Sequence, residues 1–230
     1  MEWLTTTYQP TTLFTLKPSW ATSTGGKSLL LPSPYAFKMA LLDVAIHTSG
    51  LAVAQKAWLW LRELEVAVQL PEQIVVTNLF GRVLRRARNY KEGQWPFQYT
   101  IGFREYVYFR DPIAVAVGYQ NKQVDVAQLS AWLMHISYLG KRGGMVQVLS
   151  VPAPLPPEQR HNYVSLTQEP EMIDLRGLIQ AVDDCDHKMK FDEADIYHSK
   201  RPKRVTRHVV IPYRIGRSSK SYTLYERLPV

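Results

Sequence analysis

Hydrophobic positions recur first at helical spacing and later at strand spacing, and the switches between the two divide the chain into elements. Thr5 to Leu16 is rich in threonine with Tyr8, Leu13 and Phe14, a β-type composition broken by Pro10, and predicts an irregular first strand. Lys17 to Leu31 reads as a loop. Ser33-Pro34 sets an N-cap residue before a proline at the first helical position, predicting a helix to about Thr48 that stops before Gly50. That helix is apolar nearly all round, with Lys38 and Asp43 its clearest polar positions, so it is expected to be covered on more than one side. In Leu51 to Leu70, Ala54, Trp58, Leu61, Leu64 and Val68 recur at three- and four-residue spacing, which predicts a second helix ended by Pro71.

Beyond Pro71 the period shortens. Ile74 to Val76 starts a strand, and Thr100 to Arg110 predicts a long one in which Ile101, Phe103, Val107 and Phe109 share a face with Glu105. Its other face carries Arg104, Tyr106, Tyr108 and Arg110, an alternation able to stack bases and hold phosphates. A tyrosine-rich outer face with snorkelling arginines is the plain alternative. Ile113 to Val117 is a continuous apolar run suited to a central strand. Asp125 and Gln128 open a third helix with Leu129, Trp132, Leu133, Ile136 and Leu139 at helical spacing and Gly140 as its stop. A strand follows at Met145 to Val151, and Pro152, Pro154, Pro156 and Pro157 mark an extended linker. The order β, α, α, β, β, β, α, β with a mixed tail predicts an α+β fold, helices lying on one face of an antiparallel sheet.

Composition narrows the function. With 230 residues the chain can bury a full core as a single domain over 1–230. No apolar stretch is long enough to span a bilayer, no export signal is visible, and a lone cysteine, Cys185, excludes an internal disulfide; a reducing cytoplasm is the expected home. Lys and Arg outnumber Asp and Glu by 28 to 20, a formal charge of +8, which makes a polyanionic partner plausible. The positives are segregated. Between Gly81 and Arg110, Arg82, Arg85, Arg86, Arg88, Lys91, Arg104 and Arg110 face only Glu92 and Glu105, and a basic extension over about 198–230 carries a single acid, Glu226. Between them lies an acidic block containing Asp183, Asp184, Asp186, Asp192, Glu193 and Asp195.

Several local patterns carry candidate chemistry. Ala21 to Ser28 nearly matches a phosphate-binding loop, but Ala21 stands where a glycine is needed and Leu29 to Pro32, rather than a helix, follows. His187 and His198 within the acidic block match no metal-ligand spacing, so a solvated acidic loop is the expectation and no metal or other cofactor is assigned. His47 and His135 are candidate general acids or bases for metal-free RNA cleavage, although each also suits its helix. Gly140-Lys141-Arg142-Gly143-Gly144 offers backbone donors and two cations for a phosphate.

Taken in order, three stretches resemble the Cas five family: Lys17 to Trp20 with the Gly/Ser/Thr loop and Leu31 to Ala36; Ile101 to Tyr106; and Tyr138 to Gly144 before a strand. The resemblance runs from about Lys17 to Val151, and Gly143-Gly144 replaces the Glu-Ser pair common in the family, which leaves the subtype open. It implies a ferredoxin-like RAMP domain with a β-hairpin thumb, here about 79–110. It further implies a subunit of the type I CRISPR Cascade complex that binds the 5′ handle of the crRNA, contacts the large subunit, caps the Cas seven type backbone and meets target DNA indirectly. Trp20, Lys27, Arg104, Tyr106, Gly140, Lys141, Arg142, Gly143 and Gly144 are then expected to grip the handle, with Arg82, Arg85, Arg86 and Arg88 on the thumb. No catalytic role is expected, a metal-free precursor-crRNA endoribonuclease being the alternative.

Overall fold

The computed structural model describes residues 1–18, 20–21, 25–120, 124–141, 143–168, 176–195 and 202–229. Its first strand, β1 (Glu2–Pro10), starts earlier than the threonine-rich composition suggests and ends at the proline. A short β2 (Gly25–Gly26) precedes α1 (Pro34–Ser49), whose cap is Ser33: its hydroxyl accepts the Ala36 N–H at 3.2 Å. Gly50, at φ +88°, separates α1 from α2 (Leu51–Leu61).

The predicted long second helix is corrected here. It ends at Leu61, and β3 (Glu65–Gln69) follows, with Val66, Ala67 and Val68 all buried. A strand buried on both faces shows no two-residue contrast, so its apolar residues continued the helical spacing by coincidence.

Two strands, β4 (Gln73–Arg86) and β5 (Phe97–Phe109), form one hairpin with unbroken register from Ile74↔Phe109 to Arg86↔Phe97. Then come β6 (Ile113–Tyr119), α3 (Val126–Met134), β7 (Val146–Val148), β8 (Ala153–Pro154) and β9 (Tyr163–Ser165). The C-terminal part supplies β10 (Leu178–Cys185), β11 (Arg204–Ile211), β12 (Tyr213–Ser218) and β13 (Tyr222–Arg227).

One sheet has the order β7-β1-β6-β3-β9, its neighbours antiparallel and the apolar run of β6 near its centre as expected. Leu4, Tyr8, Val66, Val68, Val115 and Val117 enter the main core with the three helices, and the Tyr8 hydroxyl donates to the Leu133 carbonyl of α3 at 2.8 Å. The proline-rich stretch lies against the other face rather than hanging free: β8 pairs with β1, and Leu155 is buried with Ala67 and Ala116. A second sheet runs β12-β13-β4-β5-β2, and its inner residues Ile74, Val76, Val107, Phe109 and Tyr213 share the main core.

The acidic block is likewise corrected, because much of it belongs to the interior. β10 and β11 pair along their length and cover a further side of α1. Asp184, 2% exposed, meets the equally buried Lys38 at 2.6 Å and Arg207 at 3.0 Å, while Asp183 meets Arg204 at 3.4 Å. Lys38 also donates to the Arg62 carbonyl at 2.8 Å. Among the described residues, no group of three or more His, Cys, Asp or Glu could hold a metal ion. Burial pushes the Cys185 thiol up to about 12. No helix among the described residues is long and apolar enough to cross a membrane.

Candidate nucleic-acid interface

The basic residues singled out from the sequence fall into two groups, one at a corner where three backbone segments meet and one on the far half of the hairpin. The corner is built from the chain after β1. Phe14 exchanges backbone hydrogen bonds with Val107 of β5, at 3.1 and 2.8 Å, which lays the following residues along the second sheet. The Leu16 N–H donates to the Ser28 hydroxyl at 2.9 Å, and the Ser28 N–H donates to the Glu105 carboxylate at 2.9 Å. Glu105 therefore sits on the inward side of β5 for a reason: it holds the glycine loop. Gly25 and Gly26 pair in parallel with Phe103 and Arg104. A helix does not follow the loop, so the phosphate-binding-loop reading fails on structure as it did on sequence.

The glycine-rich turn after α3 closes onto the same place. Gly140 has φ +77°, and a Cβ there would come within 2.2 Å of the Leu16 side chain. At Gly144 a Cβ would lie 2.7 Å from the Leu139 carbonyl, whose N–H the Gly144 carbonyl accepts at 2.9 Å. Thr12 fastens the turn from outside, its hydroxyl donating to the Gly143 carbonyl at 2.7 Å and accepting the Met145 N–H at 3.0 Å. Lys141 thereby lies in a loop seated, through Gly140, on the residue before Lys17.

Three cations converge. The Lys17 stem and the Arg104 guanidinium both pack against Gly26, 3.7 and 3.9 Å from where a Cβ would stand. The Lys141 ammonium is pushed below its ordinary range, first by partial desolvation and then by repulsion from Arg104 and Lys17. Cations held this close together favour an anion among them. Lys27 is exposed beside them, and Tyr106 is half-buried two residues along β5. Trp20, 69% exposed, stands in the loop between Lys17 and β2. Arg142 lies outside the described residues.

Arg82, Arg85, Arg86 and Arg88 form the second group, all exposed on the far half of the hairpin. Arg86 donates to the Tyr90 hydroxyl at 2.9 Å and lies over its ring. Ile101 and Phe103 share a face with Val107 and Phe109 as expected, but only the latter two are buried, because the core ends near Glu105 and the strand continues outward. Phe80, Leu84 and Tyr99 extend that uncovered apolar face, and Trp95, 72% exposed, packs at a tilt on Phe97 at the tip. The tip aromatics therefore do not fold back onto their own sheet.

His47 and His135, distant in sequence, line one cleft of about 330 Å³ together with Asp43 and Tyr138. Each ring lies against the carbonyl four residues earlier, His47 Nδ1 at 2.8 Å from Asp43 and His135 Nδ1 at 2.7 Å from Ala131. A carbonyl can only accept, so both Nδ1 atoms carry the proton and Nε2 is the basic atom of each neutral ring.

Sequence reasoning overlooked Lys17 as a site residue. Its signal was there, in the lysine that precedes Pro18 next to a buried leucine, but only the fold brings it to Arg104 and Lys141.

No family model matches the chain. It is 26% identical, over 225 residues and 96% of both chains, to the CRISPR-associated protein Cas5 of Archaeoglobus fulgidus. Among solved structures it is similar to a CRISPR protein from Archaeoglobus fulgidus, with a TM-score of 0.49 at 12% identity, covering 100% of this chain and 93% of that one. It is also similar to a chain of the type III-B Cmr-beta complex bound to cognate target RNA, with a TM-score of 0.44 at 11% identity, covering 97% and 86%.

Proposed function

We propose that this chain, a homologue of a Cas5 protein along nearly its whole length, is a CRISPR-associated RNA-binding subunit that grips the 5′ handle of a crRNA in a type I Cascade complex. The observation that carries the reading is the convergence of Lys17, Arg104 and Lys141 around the loop at Gly25-Gly26. The chain order β1, α1–α2, β3, β6, α3, β7 with sheet order β7-β1-β6-β3 supports a ferredoxin-like RAMP domain. In this reading the β4–β5 hairpin is the thumb, with arginines over RNA phosphates and Trp95 and Phe97 against a Cas seven type backbone subunit. The Cascade large subunit is a further partner, and target DNA is met indirectly through the guide.

A crRNA carrying its handle should bind more tightly than the same RNA with the handle scrambled, and affinity should fall steeply with salt. Equal affinity for the two RNAs would remove the handle from the proposal. Replacing Arg85 to Phe97 by a short Gly-Ser bridge should leave a folded monomer that copurifies with little or no complex. Unfolding of that variant, or normal assembly, would overturn the thumb assignment.

The protein acts here by binding, not by catalysis. The shared cleft of His47 and His135 is the specific observation that favours a second reading, metal-free cleavage of precursor crRNA. Incubation of precursor crRNA with the protein, in EDTA and in magnesium, is expected to give no products. Specific cuts at the repeat that disappear in His47→Ala or His135→Ala would establish the second reading instead.

A further inference from the structure

The C-terminal hairpin has no part in the corner, yet it pairs with the strand beside it. β13 adds to β4 in the register Tyr222↔Thr77 and Leu224↔Val75, and β12 adds to β13 with Arg217↔Leu224. Carried across to β5, where Thr77 faces Tyr106 and Val75 faces Tyr108, these pairs make two rows on one face of the second sheet. One row is Tyr222, Thr77, Tyr106; the next is Arg217, Leu224, Val75, Tyr108. A third, Leu79 with Arg104, joins the rows to the basic corner through Gly26.

This is the face turned away from the core. Ile74, Val76, Val107 and Phe109 alternate to the inside and are buried, whereas no residue of the three rows is buried. Tyr222 and Tyr106 stand two strand spacings apart, about 10 Å, with only a threonine between them. Arg217 is exposed at one margin, Arg104 lies at the other, and the acid of the region, Glu226, is met by Arg214 at 3.3 Å. Flat rings separated by small residues and flanked by cations suit unpaired bases and their phosphates, and the charge complements a polyanion.

We infer that this outer face is a second stretch of a single-stranded RNA path, with Tyr222 and Arg217 of the C-terminal hairpin as contact residues continuous with the corner at Arg104. The inference rests on the RNA-binding reading above. It gives the basic extension a role that the corner alone does not.

Fluorescent single-stranded RNAs of two lengths separate the inference from its premise: one of about 8 nucleotides, enough for the corner, and one of about 16. The full chain should bind the longer RNA more tightly. Arg217→Ala with Tyr222→Ala should lower affinity for the longer RNA about tenfold and leave the shorter one unchanged, while Tyr222→Phe, which keeps the ring, should bind like the unsubstituted chain. Photocrosslinking of 4-thiouridine RNA to the unsubstituted chain, mapped by mass spectrometry, should label the peptide that contains Tyr222, and this needs no variant to fold. An unsubstituted chain that binds neither RNA overturns the premise. Binding of both RNAs with no crosslink at β13 and no loss in the double variant overturns the inference and hands the face to a protein partner.

Discussion

Asp184→Ala is expected to destabilise the protein by about 3–5 kcal/mol, the range for removing one member of a buried ion pair. Both Lys38 and Asp184 are 2% exposed, so each is largely withdrawn from solvent and depends on its partner. The substitution leaves the Lys38 ammonium with the Arg62 carbonyl alone and strips the Cys185 N–H, 2.8 Å from Asp184, of its acceptor. Arg207, a third exposed, can turn to solvent and loses less. Pairing Asp184→Ala with Lys38→Met removes the stranded charge while keeping the stem, and should recover most of the loss. Urea unfolding of the two variants measures both effects. A single-variant loss under about 1 kcal/mol would mean that α1 does not depend on this pair to hold β10 and β11.

The largest functional effect should come from Lys17→Ala, Arg104→Ala and Lys141→Ala together. Losing three phosphate contacts should weaken binding of single-stranded RNA about a hundredfold or more and reduce the magnitude of the salt slope by about 2. Thermal stability should change little, since none of the three is buried. Partial desolvation, and then repulsion from Arg104 and Lys17, oppose the charged form of Lys141, and a bound phosphate would offset the repulsion. Because a lowered pKa means the ammonium loses its proton earlier as the pH rises, RNA affinity should begin to fall below the pH at which ordinary lysines titrate, and Lys141→Arg should remove that early loss. A triple variant with unchanged affinity and slope would move the interface elsewhere.

How far the sequence led can be judged element by element. Ser33-Pro34 and Gly50 bounded α1 because caps and φ restrictions act locally. The hairpin was legible for a similar reason: Lys91 to Gln94 has turn composition, and so many arginines on one arm cannot be buried. β3 was misread because burial on both faces erased its alternation. The acidic block was misread because the identity of its partners is non-local: Asp184 meets Lys38 across 146 positions of sequence. Lys17 and Lys141 meet for the same kind of reason, through Leu16 seated under Gly140. Local chemistry could be read from the string of residues, and convergence could not.

The hairpin's limited pairing bears on solubility. Among the described residues β13 pairs with β4 from Gln73 to Thr77, with Asn78 bonded to the Ser221 carbonyl just beyond, and β2 pairs with β5 at Phe103 and Arg104. Beyond those points no described residue pairs with the outer edge of either strand, and the two edges project together with an apolar face, a template for identical copies to stack edge to edge. Arg82, Arg85, Arg86 and Arg88 are spread along one of those edges and the turn after it, where like charge keeps a second copy away. The same guanidiniums that would hold RNA thus act as gatekeepers against self-assembly, and neutralising them would trade a nucleic-acid contact for a sticky edge.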